Sequence, residues 1–166
     1  MPDRVGAQPQ TQLPGRARPA PRAMIPERAL IACEPFGARL RATAAAAAIG
    51  AGLTAAGLPE PDVCALENLG AGDARAMLEA LAFDSRMRRA RAVIIGAQRL
   101  SQDTLVGSAV FEIATRARQG GVPAYAITAA NLLDPFDARV LDLQVIIQAS
   151  GARGLTAAGT RLAALL

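Results

Sequence analysis

Residues 92–128 constrain the fold of this chain more than any other stretch. They read as an apolar run, a polar loop, a segment with apolar residues at helical spacing, the pair Gly120-Gly121 and a second apolar run. This order is typical of a strand, a helix and a second strand parallel to the first, because parallel strands need a long crossover connection. Paired glycines are a common end signal for a helix. The stretch therefore predicts one βαβ unit.

The same alternation recurs along the chain. It predicts strands at 29–34, 61–66, 92–96, 123–128 and 142–147, and helices at 40–57, 73–83, 105–119 and 153–165. Successive βαβ units with right-handed crossovers build a parallel sheet with helices on both faces. We expect a single α/β domain over residues 29–166, with a mainly parallel sheet in a Rossmann-like, three-layer α/β/α arrangement.

Residues 1–28 have a different composition. Proline recurs every few residues, no apolar period is present, and arginines place +3 of the formal net charge of +4 in this segment. It cannot bury enough apolar surface to fold, so we expect a disordered Pro/Arg-rich tail. It also lacks the continuous apolar run of a secretory signal.

The absence of two residue types excludes several functions. The chain has no histidine and no lysine, and all 18 positive charges are arginines. Ser-His-Asp hydrolases, Cys-His proteases, His-ligated metal sites and P-loops are therefore excluded. Residues 29–166 are nearly neutral in sum, and 3% aromatic residues offer no stacking surface, so we expect no nucleic acid partner.

Residues 42–58 carry no charge and allow three interpretations. Alanine and glycine drive membrane insertion weakly, so we expect no membrane partner and favour a buried helix. Its small residues also allow a helix-dimer face, and a homodimer is a candidate assembly. Cys33 and Cys64 fall in predicted strands without a zinc-binding pattern, which favours buried thiols, no metal site and a cytoplasmic location.

Three segments of the sequence carry loop residues in a recognisable order. The third runs through Gly96, Arg99, Thr104 and Gly107 and is followed by the triplet from Gly121 to Pro123. These residues resemble a loop of the bacterial two-domain glycerate kinase family. The family's acidic, glycine, acidic and lysine positions are instead occupied by Ala97, Gln98, Ser101 and Ser108. The loop thus keeps its turns but loses its charges.

The other two segments show the same replacement. Residues 32–42 resemble the family's opening strand and loop, with Glu34 in place of an aspartate and Gly37 in place of a lysine. Residues 66–73 keep Gly70 and Gly72 but carry Asn68 in place of an aspartate. The family's second domain normally lies between the second and third segments, where this chain has only residues 74–91.

Independently of the resemblance, the predicted sheet implies one ligand site at the carboxyl ends of the strands, where open α/β sheets bind ligands. Its degenerate catalytic candidates are Glu34, Asn68 and Arg99. The expected ligand-binding residues are Glu34, Arg39, Asn68, Gly70, Gly72, Asp73, Gly96, Arg99, Ser101, Thr104 and Ser108. For some of these a structural role is equally open: Arg99 as an ion-pair partner of Asp103, and Asp73, Ser101 or Thr104 as helix caps.

The resemblance implies two functions that the sequence leaves open. The first is an inactive glycerate-kinase-like remnant that binds a small organic acid or nucleotide, or that oligomerises, without a cofactor. The second is an active ATP-dependent glycerate kinase that uses ATP and Mg²⁺, with a separate chain supplying the second domain. The loss of the lysine and acidic positions favours the first.

Overall fold

The computed structural model describes residues 27–67 and 73–166, and these form one parallel sheet with helices on both faces. The five strands are β1 (Ala29–Cys33), β2 (Asp62–Ala65), β3 (Ala92–Leu100), β4 (Ala124–Asn131) and β5 (Leu143–Gln148). Their order across the sheet is β2-β1-β3-β4-β5, and every neighbouring pair is parallel. The predicted three-layer α/β/α fold is confirmed.

Six helices within the described ranges connect and cover the strands. They are α1 (Ala42–Ala55), α2 (Ala74–Ala80), α3 (Phe83–Met87), α4 (Ala109–Gln119), α5 (Pro135–Val140) and α6 (Gly151–Ala163). One core lies between the sheet and α2, α3 and α4, and the other lies between the sheet and α1 and α6. Leu30 and Ile31 are both fully buried, one in each core, because neighbouring residues of a strand point to opposite faces.

The crossing of α1 and α6 explains the small residues of α1. A Cβ atom on Gly52 would stand 2.7 Å from the backbone nitrogen of Thr160, and one on Gly159 would stand 3.2 Å from the Cα of Gly52. The Thr160 hydroxyl also donates to the Gly52 carbonyl at 3.2 Å. The two backbones therefore touch, and this face of α1 packs within the chain, so a homodimer would need another surface.

Most predicted bounds shift by up to three residues, and three predicted elements differ from the structure in a larger way. The expected helix at 73–83 is two helices, because Ala82 takes a left-handed conformation with φ of 51°. The expected strand at 92–96 continues to Leu100. The expected helix at 105–119 begins only at Ala109, because Gly107 has a φ of +73° and Ser108 supplies the cap.

The sequence carries signals for two helix termini, the end of α4 and the start of α5. Helix α4 ends in a Schellman motif, in which Val122 donates to the Ala117 carbonyl at 2.9 Å and Gly121 has a φ of +67°. Helix α5 was missed, although Asp134 caps it and Pro135 opens it. At six residues, α5 is too short to show a helical period.

No helix in the two described ranges is long and apolar enough to cross a membrane. Both cysteines are buried free thiols, as expected.

Candidate functional site

The strand order places a candidate site between β1 and β3. The chain order of the strands reverses at this point, and open α/β sheets bind ligands in the crevice outside the carboxyl ends of strands at such a reversal. Glu34 is the first residue after β1, and its backbone N–H donates to the Gly96 carbonyl at 2.8 Å. The structure thus brings Glu34 to the reversal itself.

Gly96 is required by packing beneath this site. A Cβ atom at this position would lie 2.5 Å from the Cys33 sulfur and 3.4 Å from Cδ1 of Ile49 in α1. Only glycine therefore lets β1, β3 and α1 approach so closely. Close packing at the floor of the site is therefore sufficient to explain why residue 96 is glycine, and no ligand is needed to explain it.

The Glu34 carboxylate is the electrostatically unusual group of the site. It is half-buried, and burial raises its pKa to about 6. No described residue forms a hydrogen bond or ion pair with it. Burial, with Glu34 and Glu67 nearby, also raises the pKa of the Cys33 thiol to about 12, so this cysteine stays protonated. A half-buried carboxylate that has a raised pKa and no partner is typical of functional sites.

Glu67 lies at the same edge, but the fold already uses it. Its Oε1 accepts from the backbone N–H of Thr43 at 3.1 Å and from the Thr43 hydroxyl at 3.2 Å. The Thr43 N–H and hydroxyl, together with Arg41, hold the pKa of Glu67 below its usual range. Arg41, at the cap position of α1, provides no side-chain cap of its own. Glu67 therefore caps α1 from a position 24 residues away, which no local pattern could reveal.

The first loop carries two arginines, of which Arg39 was an expected ligand-binding residue. Phe36 and Leu40 pair across a tight turn in which Gly37 has a φ of +70°. Arg39 is exposed in this turn, and the Nε of Arg41 lies 3.7 Å from Oε1 of Glu67. The charge of Arg41 is therefore offset by a carboxylate, whereas Arg39 faces solvent.

The third loop begins later than its sequence suggested. Gln98 and Arg99 are exposed residues within β3, and a short 3-10 turn follows at Gln102–Thr104. The Oδ atoms of Asp103 form no ion pair with Arg99 in the described parts of the chain. Arg99 is therefore exposed near the site, in register with Ala130 of β4.

Helix capping accounts for two other expected site residues. Ser108 caps α4, with its hydroxyl accepting from the Phe111 N–H at 3.1 Å, so neither Ser101 nor Thr104 is the cap of this helix. Asp73 caps α2 by accepting from the Arg75 N–H at 2.9 Å, which confirms that interpretation. Asn68, Gly70 and Gly72 lie outside the described residues.

Few free acids lie at this edge. No group of three or more acid or cysteine side chains that could hold a metal ion is found within residues 27–67 and 73–166. Residues 68–72 contain no acid. Glu67 is held by α1, which leaves Glu34 as one free carboxylate at the reversal.

Comparison with known proteins gives a family match and a structural match. Residues 68–150, which make up half of the chain, match the Glycerate kinase family. The match includes the third loop and Arg99, but it begins after Glu34 and Arg39. A search of curated proteins finds no match. A diflavin flavoprotein A3 from Nostoc sp. aligns with a TM-score of 0.45 and 16% identity, over 83% of this chain and 91% of that chain.

Proposed function

Because this chain belongs to the glycerate kinase family, we propose that it binds a small hydroxy acid at the carboxyl edge of its sheet without phosphorylating it. The site consists of Glu34 at the strand reversal, with the exposed cations Arg39 in the loop after β1 and Arg99 near the end of β3. The ligand's hydroxyl groups would donate to Glu34, and an arginine would take its carboxylate. Asn68, Gly70 and Gly72 belong to the proposed site through the family resemblance alone.

The state of Glu34 is the observation that supports this proposal. Burial without a partner costs free energy, and folds tolerate such a cost mainly where a group serves a ligand. A hydroxyl donor would stabilise the ionised carboxylate and offset part of that cost. Packing alone accounts for Gly96, and capping accounts for Asp73 and Ser108, whereas neither accounts for Glu34.

The rest of the edge argues against phosphoryl transfer. That reaction depends on positive charge and metal-bound carboxylates placed around the transferred group. The chain has no lysine, Ser108 caps α4 and Glu67 caps α1. The groups needed for transfer are therefore replaced or already used by the fold, and we derive no catalytic step from this edge.

Calorimetric titration of the full chain with glycerate, without nucleotide, tests binding. We expect saturable binding that Glu34→Ala weakens at least about tenfold, since a charge-assisted hydrogen bond contributes roughly 1.5–3 kcal/mol. Glu60→Gln serves as the control, because Glu60 is an exposed acid in the loop before β2. Binding that is absent, or equally strong in Glu34→Ala, would contradict the proposal.

The pH dependence of that affinity identifies the ligand group at Glu34. If a ligand hydroxyl donates to the carboxylate, binding lowers the pKa of Glu34, so affinity rises as the pH passes upward through about 6. Glu34→Gln should remove this dependence. Affinity that falls over the same range would instead place a ligand carboxylate against Glu34.

The second candidate is an active glycerate kinase completed by a partner chain. The raised pKa of Glu34 favours it, because a carboxylate that titrates near neutral pH can accept a hydroxyl proton. Incubation with glycerate, ATP and Mg²⁺, followed by phosphorus NMR, distinguishes the two candidates. Turnover that Glu34→Gln abolishes would establish the kinase and overturn the non-catalytic proposal.

A further inference from the structure

Positive charge collects at the edge of the sheet opposite the candidate site. Arg28 and Arg91 directly precede β1 and β3, and the Arg91 N–H donates to the Arg28 carbonyl at 2.9 Å. Arg88 and Arg89 directly follow α3. Arg28, Arg88 and Arg89 are exposed, and Arg91 is half-buried. Four arginines therefore meet where these two strands begin.

A fifth arginine joins them from α4. Gly120, at the end of α4, lies so close to Met87 that an added Cβ would stand 2.8 Å from the Met87 Cε. This contact brings the exposed Arg118 beside the end of α3. We call Arg28, Arg88, Arg89, Arg91 and Arg118 the basic edge.

The near-neutral sum of residues 29–166 conceals this arrangement. Acids at this edge offset part of the charge: Asp62 binds Arg86 and also attracts Arg89, Asp84 binds Arg116, and the exposed acids Glu27 and Asp142 precede β1 and β5. The ends of helices attract cations, which accounts for Arg118 at the end of α4. It does not account for Arg88 and Arg89, because α3 has only five residues and a correspondingly small dipole.

Two exposed apolar side chains flank the basic edge. Leu165 is 51% exposed, and its neighbour Leu166 accepts a hydrogen bond from Arg91. Val63 is 37% exposed, and its carbonyl accepts from Arg86 at 2.7 Å. Basic groups with apolar neighbours suit a lipid surface, whereas the described part of the edge offers no protruding helix for a nucleic acid groove. Tyr125, whose hydroxyl donates to the Leu165 carbonyl at 3.4 Å, is half-buried.

We propose that the basic edge docks this protein on an acidic phospholipid membrane surface. The guanidinium groups would contact lipid phosphates and carboxylates, and Leu165 and Val63 would enter the headgroup region. The residues that precede this edge contain four more arginines, at positions 4, 16, 18 and 22, which add to the attraction. Glu34 lies at the opposite edge, so a docked protein would keep its candidate site open to solvent.

Co-sedimentation of the full chain with vesicles tests the docking. We expect binding to phosphatidylserine-rich vesicles that added salt weakens, and no binding to pure phosphatidylcholine vesicles. Each arginine near an acidic membrane contributes about fivefold, so Arg88→Gln with Arg89→Gln should weaken binding about 25-fold. The matched control is Arg75→Gln with Arg153→Gln, which removes the same charge from exposed residues near the starts of α2 and α6.

A second variant keeps the test decisive if the first unfolds. Arg28→Gln with Arg118→Gln removes two other charges of the basic edge and should produce the same loss. The proposal is overturned if both edge variants bind like the wild type while Arg16→Gln, Arg18→Gln and Arg22→Gln together abolish binding. It is also overturned if a DNA duplex binds more tightly than the vesicles at the same salt concentration.

Discussion

Replacing Glu34 by glutamine should stabilise the protein at neutral pH. Burial raises the pKa of Glu34 from its ordinary value of 4.5 to about 6. Between these pH values the folded state holds more protons than the unfolded state, so the free energy of unfolding falls as the pH rises. The difference between a pKa of 4.5 and one of about 6 corresponds to roughly 2 kcal/mol. Glutamine has nearly the same shape and no charge to desolvate.

Urea unfolding followed by far-UV circular dichroism would measure this effect. At about pH 7, Glu34→Gln should raise the free energy of unfolding by roughly 2 kcal/mol, and the gain should vanish below about pH 4.5, where Glu34 is protonated in both states. Glu60→Gln, an exposed control, should change it little at either pH. A Glu34→Gln protein that is less stable than the wild type at neutral pH would mean that a cation or hydrogen bond compensates the carboxylate. That result would remove the main support for the proposed site.

Three further changes test the packing and the corrected elements. Gly52→Ala should destabilise the protein by about 1–3 kcal/mol, because its Cβ would overlap the backbone of α6. Ala51→Gly in the same helix provides a comparison in which no atom is added. Equal thermal stability of Gly52→Ala and the wild type would contradict the close crossing of the two helices. Ser108→Ala should lower the free energy of unfolding by about 1 kcal/mol, and Ser108→Gly should lower it by less. Urea titrations that show no loss of stability in Ser108→Ala would mean that another residue caps α4. Asp62→Asn should lower the free energy of unfolding by up to about 1 kcal/mol near neutral pH, because Arg86 holds the pKa of Asp62 below its usual range. The stability that the ion pair contributes is lost as the pH falls through that lowered pKa, so the variant and the wild type should become equally stable in strong acid. Thermal melts in which they still differ there would refute the ion pair as the source of the effect.

Where the evidence for an element is local, the sequence predicted it well. The strands and the long helices follow from apolar period, and the end of α4 follows from its two glycines. Helix α5 and the break at Ala82 were missed because a six-residue helix shows no period and because alanine rarely takes a left-handed conformation. The start of α4 was misplaced because Ser101, Thr104 and Ser108 are all good caps by type.

The candidate site was predicted only in part. The parallel sheet placed Glu34 and Arg99 at one edge in advance, because carboxyl ends of parallel strands share an edge. The structure then separated groups that look alike in the sequence. Glu34 and Glu67 both follow strands, yet Glu67 caps α1 and Glu34 keeps no partner among the described residues.

The sequence by itself determined the order of the strands and of the longer helices, the parallel sheet, and the absence of lysine and histidine chemistry. These depend on residue type and on spacing within a few positions. Only the tertiary structure decided which carboxylate is desolvated, which glycines are packed against a neighbouring backbone, and which arginines share an edge. Desolvation and charge pairing are set by atoms close in space, and those atoms come from residues that lie tens of positions apart in the chain.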